Sequence, residues 1–255
     1  MDLVSPVQPP SPLLRRDGMW FTPKHPNTFA RKHPIDVVTI HWTGAENPAE
    51  RVYKTLVSRR LSIHAIIERD GTIVQTADWQ KTACAHVGNR RDRPVSLNLR
   101  SIGIEVVGRG FATKGDLPRT RGLRARDAAD WAVTRPIYEA GISKRRKMLA
   151  GFTHRQVLSV LWLCDALTTT YDIPRIIPWK YGPEGPQARS LGGNEWILPA
   201  HDRDASHKPG SRRTSFRGVL GHYHVHATRW DPGPQIFNAL WDRGYHPTEG
   251  MRRVA

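Results

Sequence analysis

The chain has 255 residues, enough for one large domain or two small ones. Lys and Arg number 39 against 23 Asp and Glu, and the resulting net charge of +16 favours polyanionic partners: nucleic acid, anionic lipid or an acidic cell wall. Two cysteines, Cys84 and Cys164, leave no disulfide framework and no C-x-x-C pair, and no apolar run is long enough to span a membrane.

Residues 1–18 are rich in Pro and Ser and read as an extended arm. They show no basic stretch followed by an apolar one, so no signal peptide is expected. Asp36-Val-Val-Thr-Ile-His-Trp-Thr-Gly44 is the first clear strand, with His41 near its carboxyl end, where open α/β sheets place ligands. Asn47-Pro48 reads as an N-cap followed by Pro at the first helical position, with the helix running to about Arg59. Ser62 to Gln75 reads as a hairpin turning at Asp70-Gly71. Thr82 to Gly88 reads as a loop carrying His86.

Ser101-Ile-Gly-Ile-Glu-Val-Val-Gly108 is an apolar strand with one carboxylate, Glu105. A buried carboxylate is costly unless it is paired or placed beside a metal, so Glu105 points to a site. Residues 109–150 hold much of the excess charge, in Arg119–Arg126 and Lys144–Lys147, with a short helix expected over 128–133 and limited by Pro136. Thr153-His-Arg-Gln156 is a capping-box pattern that opens the best helix of the chain. Its apolar stripe is Val157, Val160, Leu161, Cys164 and Leu167, and Tyr171-Asp-Ile-Pro174 ends it. Residues 175–215 are irregular and rich in Gly and Pro, a length of loop that is often functional.

Gly221-His-Tyr-His-Val-His-Ala-Thr-Arg-Trp-Asp-Pro-Gly-Pro234 then concentrates three histidines, an arginine and an aspartate. Alternation along a strand would put His222, His224 and His226 on one face, and Pro234 should stand near the start of a closing helix. Histidine and carboxylate suit a catalytic zinc when a third ligand comes from elsewhere. His41, Glu105, one histidine of this run and Asp231 therefore make a candidate constellation, and local physics does not choose among the three histidines.

Ile40-His-Trp-Thr-Gly44, Ser62 to Gly71, Ala85-His-Val-Gly88, Ser101 to Gly108 and Gly221-His222 with Asp231-Pro-Gly-Pro234 occur in one order. Together they resemble the zinc-dependent N-acetylmuramoyl-L-alanine amidases, which share a fold with the peptidoglycan recognition proteins. The resemblance implies an α/β fold: a central mixed β-sheet flanked by helices, one catalytic domain over 19–245 with long loop insertions at 109–150 and 175–215. Residues 246–255 would form a basic tail. It implies Zn2+ held by His41, His222 and Asp231, Glu105 as the acid/base, and His86 in substrate binding or oxyanion support. The implied reaction is hydrolysis of the amide between N-acetylmuramic acid and L-alanine in peptidoglycan, with zinc-bound water as nucleophile.

Two residues depart from the family pattern. Arg229 stands where relatives carry lysine, and would support the oxyanion with a planar, always charged group. Ile63 replaces the tyrosine of the small phage members, which leaves the proton work to Glu105 and makes His64 a structural residue. The expected partner is peptidoglycan, as muramyl peptides. The protein would be made in the cytoplasm and act on the wall by a route not visible in the sequence. A non-catalytic recognition module is the alternative, and filled ligand positions argue against it. A nucleic-acid binder rests on charge alone and is not expected, because no stacking motif or zinc-finger spacing supports it.

Overall fold

The apolar run Val37–Trp42 becomes a strand buried on both faces, as expected of β-branched residues inside a parallel sheet. The computed structural model describes residues 27–87, 97–112, 135–138, 147–178, 196–197, 216–225 and 231–247. In chain order the elements are β1 (Thr28–Ala30), β2 (Val37–Trp42), α1 (Ala49–Ser58), β3 (Ala65–Ile67), β4 (Ile73–Gln75), β5 (Thr82–Cys84), α2 (Leu97–Arg100) and β6 (Ser101–Val106). They continue with β7 (Gly110–Ala112), β8 (Arg135–Tyr138), β9 (Lys147–Ala150), α3 (His154–Thr170), β10 (Ile176–Ile177) and β11 (Trp196–Ile197). The last are β12 (Gly218–Gly221), α4 (His222–Val225), α5 (Pro234–Asp242) and β13 (His246–Pro247).

The principal sheet has the order β12-β2-β6-β3-β4. Its first four strands are parallel and β4 is antiparallel to β3, so the sheet is mixed, as expected. Alternation sorts its residues to two faces. Val38, Ile40, Ile102, Ile104, Ala65, Ile67 and Val219 pack against Val160, Leu163, Cys164 and Leu167 of α3 and Ile236, Phe237 and Leu240 of α5. On the other face Ile66 meets Ala49, Val52 and Leu56 of α1. Val37 and Leu220 meet Val87, Leu97 and Phe216 on that same side. Helices thus cover both faces, and the site grows from the second.

Helix α3 starts as its sequence says. The Gln156 amide donates to Thr153 Oγ1 at 3.1 Å, and Gln156 Oε1 accepts from the Thr153 amide at 3.1 Å. Helix α1 corrects the expected Asn47 cap: Pro48 is the N-cap, and its carbonyl accepts from Arg51 and Val52 at 2.9 and 3.1 Å. The Ala49 amide is taken by Glu68 Oε1 at 2.8 Å, a carboxylate brought to the helix start by the hairpin turn. That turn is held by Gly71, whose φ of +87° disfavours a side chain and whose Cβ would lie 2.9 Å from the Arg155 carbonyl oxygen.

Three stretches read as irregular carry strands. Thr82–Cys84 is β5, paired antiparallel to β1, which the sequence did not announce. Within the insertions, β7, β9, β8 and β11 form a second sheet in the order β11-β8-β9-β7. His246–Pro247, expected in the tail, pairs with Ile176–Ile177. The arm at 1–18 and the helix expected over 128–133 lie outside the described residues. Among the described residues no helix is long and apolar enough to cross a membrane.

Candidate metal centre

Parallel register sets the geometry. His41 stands opposite Glu105 on the neighbouring strand β6, and residues opposite one another share a face. Gly221 stands opposite Ile40, so His222 leaves β12 beside His41, with ring centroids 4.5 Å apart. Both histidines sit at the carboxyl ends of β2 and β12. The chain leaves β2 toward β3 and β6 on one side and adds β12 on the other, so this is the point where strand order reverses, the usual ligand crevice of an open α/β sheet.

Past Gly221 the chain does not continue as a strand; His222–Val225 is one helical turn. The physical reason is a side-chain bond: the Gly221 amide donates to His224 Nδ1 at 2.8 Å and closes the turn. His224 is 3 % exposed and packs edge-on against Phe237, centroids 4.8 Å apart. His222 and His224 therefore do not share the face that a strand would have given them. His226 lies outside the described residues.

Asp231 completes the group. Its Oδ2 is 2.9 Å from His222 Nδ1 and 3.4 Å from His41 Nδ1. The three side chains are buried and their ligand atoms all fall within 4.8 Å of one another. Burial alone would raise the Asp231 carboxyl, but the imidazoles of His222 and His41 beside its Oδ2 outweigh it and hold the group well below the usual carboxylate range. Asp231 is thus an anion at neutral pH. Two imidazoles and one carboxylate converging in a buried crevice are the donor set of a catalytic zinc with an open position, and the residues present fit that ion.

Glu105 is half-buried, on the strand next to His41. His86, expected in substrate binding or oxyanion support, lies in contact with His41. It is 7 % exposed, its ring lies at 85° to His41, and its Nδ1 is 3.0 Å from His41 Nε2. Burial, then the neighbouring histidines and Arg31, hold His86 well below its ordinary range and therefore neutral. Ser101, not among the expected site residues, has its Oγ 3.0 Å from His86 Nε2. The alternation of Ser101, Gly103 and Glu105 on one side of β6 was the available signal: small residues beside a carboxylate leave room for rings.

His64 is structural. Its Nδ1 accepts from the Gly103 amide at 3.0 Å, and its Nε2 donates to the Thr82 carbonyl at 3.0 Å, beside Arg31 Nη2 on the same oxygen at 2.6 Å. Arg229 lies outside the described residues.

A family model described as N-acetylmuramoyl-L-alanine amidase matches residues 31–234, and the chain belongs to that family. Among solved structures, the amidase AmiD from E. coli, in complex with anhydro-N-acetylmuramic acid-L-Ala-D-gamma-Glu-L-Lys, is 18% identical with a TM-score of 0.46, over 84% of this chain and 60% of that one. AmpDh3 from Pseudomonas aeruginosa, in complex with anhydromuramic pentapeptide, is 15% identical with a TM-score of 0.46, over 91% and 66%. LysC, an N-acetylmuramoyl-L-alanine amidase from Clostridium intestinale, is 14% identical with a TM-score of 0.45, over 90% and 95%. The chain thus spans less than two thirds of the first two. No curated protein matches.

Proposed function

We propose that the protein hydrolyses the amide bond between N-acetylmuramic acid and L-alanine in peptidoglycan, with zinc held by His41, His222 and Asp231. The observation that carries this reading is the convergence of those three ligand atoms beside Glu105, within a chain of the amidase family. Zinc, when bound, supplies a Lewis acid and brings the pKa of a ligated water to roughly 7. Asp231, already ionised, offsets part of the metal's charge. Glu105 takes a proton from the attacking water and returns it to the departing amine of L-alanine, a role that needs a carboxylate within reach of both. Arg229 offers a fixed positive charge to the carbonyl oxygen as it becomes an anion. The protein's own positive charge, +16, draws it to an acidic wall.

The test is paired: zinc by elemental analysis on purified protein, and new amino termini released from purified peptidoglycan with and without chelator. About one zinc per chain and chelator-sensitive release of L-alanine amino termini are expected. Zinc without release would favour a recognition module. No zinc after metal supplementation would remove the reading.

A further inference from the structure

The hydrogen bonds behind His41 run in one direction, and that direction has a consequence for the metal. Ser101 Oγ is 2.5 Å from the Leu97 carbonyl oxygen, which can only accept, so the hydroxyl proton lies on that line. The hydroxyl then offers only lone pairs to His86 Nε2, 3.0 Å away, and that nitrogen carries a proton. A neutral imidazole protonated on Nε2 has a lone pair on Nδ1. His86 Nδ1 is 3.0 Å from His41 Nε2, so His41 donates there. The remaining lone pair of His41 is on Nδ1, which faces Asp231 Oδ2 at 3.4 Å. Lone pair and carboxylate oxygen repel unless a cation lies between them.

We propose that His86 and Ser101 are positioning residues that fix His41 as the Nε2-protonated tautomer and so present its Nδ1 to the metal. The proposal rests on the zinc reading given above. His86 is itself held from several sides. Its amide and that of Val87 both donate to Asn98 Oδ1, at 3.1 and 2.9 Å. Its ring lies against Gly103, where an added Cβ would stand 2.7 Å from His86 Cγ. A ligand whose far nitrogen is anchored in this way keeps its ring orientation and gains basicity, and loss of such a partner typically weakens metal binding about 10- to 100-fold.

The experiment uses the full chain, stripped of metal, and has two readouts besides activity. Long-range proton–nitrogen NMR spectra on labelled apoprotein report which nitrogen of each histidine carries the proton. Zinc affinity is measured by competition with a chelator of known affinity. His41 protonated on Nε2 is expected in the wild type. His86→Leu is expected to weaken zinc binding about 10- to 100-fold. His86→Asn, whose amide oxygen can accept near the position of Nδ1, is expected to recover most of that loss. Melting of the apoproteins controls for folding. Should His86→Leu not fold, Ser101→Ala removes the acceptor at the far end and is expected to weaken zinc binding with His86 retained.

His41 protonated on Nδ1 in the apoprotein would overturn the proposal. So would unchanged zinc affinity in a folded His86→Leu or, failing that variant, in Ser101→Ala. A wild-type protein that takes up no zinc would instead overturn the proposed function, and the tautomer spectrum would still decide the relay.

Discussion

His222 and His224 are two residues apart and both buried, yet only the first meets Asp231. His222→Ala is therefore expected to lose zinc by elemental analysis. His224→Ala is expected to keep it while melting earlier, because the Gly221 amide loses its acceptor at a cost of about 1–3 kcal/mol. The reverse pattern would move the metal to the other histidine. Glu105→Gln is expected to retain zinc and lose amidase activity by roughly 10²- to 10⁴-fold, the usual worth of a general acid/base; near-normal turnover would take Glu105 out of the chemistry. His64 gives a pH signature. Burial, and then the Arg31 charge, depress it to about 3, against a bond to the Thr82 carbonyl. Below its ordinary value of 6.5 the unfolded chain binds a proton that the native state refuses. The contribution is complete above that value and is lost as pH falls toward about 3, with a slope of up to ~1.4 kcal/mol per pH unit. Urea midpoints between neutral and acid pH should fall less steeply in His64→Gln than in the wild type; parallel slopes would exclude His64. His41, a histidine of the 222–226 run and Asp231 were legible as metal-ligating types, and the structure brings His41, His222 and Asp231 together. The contact of His86 with His41 was not legible, because which histidines meet depends on packing across a sheet.

At the scale of elements, what is local could be read and what is tertiary could not. The capping box of α3 needs only residues three apart, and Thr153 and Gln156 bond as their spacing dictates. Thr153 Oγ1 also donates to the Arg69 carbonyl at 2.7 Å, tying the helix to the hairpin turn. Thr153→Ala is expected to lower stability by about 1–2 kcal/mol in denaturant unfolding, the upper end for a cap; no change would mean water replaces both bonds. The start of α1 misled, because the group that satisfies its first amide is Glu68, across the turn of the β3–β4 hairpin. The strand expected from His222 onward gives way to a helical turn over His222–Val225 for a different reason. Its polar side chains compete for backbone amides, and His224 wins the one at Gly221.

For the whole molecule, the order of motifs was enough to give a mixed sheet with helices on both faces, because long apolar strands and one long amphipathic helix dominate the core. The second sheet was not legible. Its strands are two to four residues long, and β11 pairs with β8 from far along the chain, so no periodicity marks them. Zinc that binds only the folded chain should stabilise it as a whole, by about 2.7 kcal/mol when free metal is one hundred times the dissociation constant. Chelator is thus expected to lower the melting temperature of the wild type and leave His222→Ala unmoved; equal shifts in both would mean that the chelator acts elsewhere.

The pairing of β12 with β2 also bears on the order in which the site is made. Gly218 pairs with Val37, so the strand carrying His41 waits for a neighbour made long after it. A ribosome that has reached residue 215 has made His41, His86 and Glu105, but neither His222 nor Asp231. Closing so long a loop is slow, and until it closes β2 is an open edge. A nascent chain of that length therefore lacks two of the three proposed ligands, and the proposed metal site cannot be complete before Asp231 has been made.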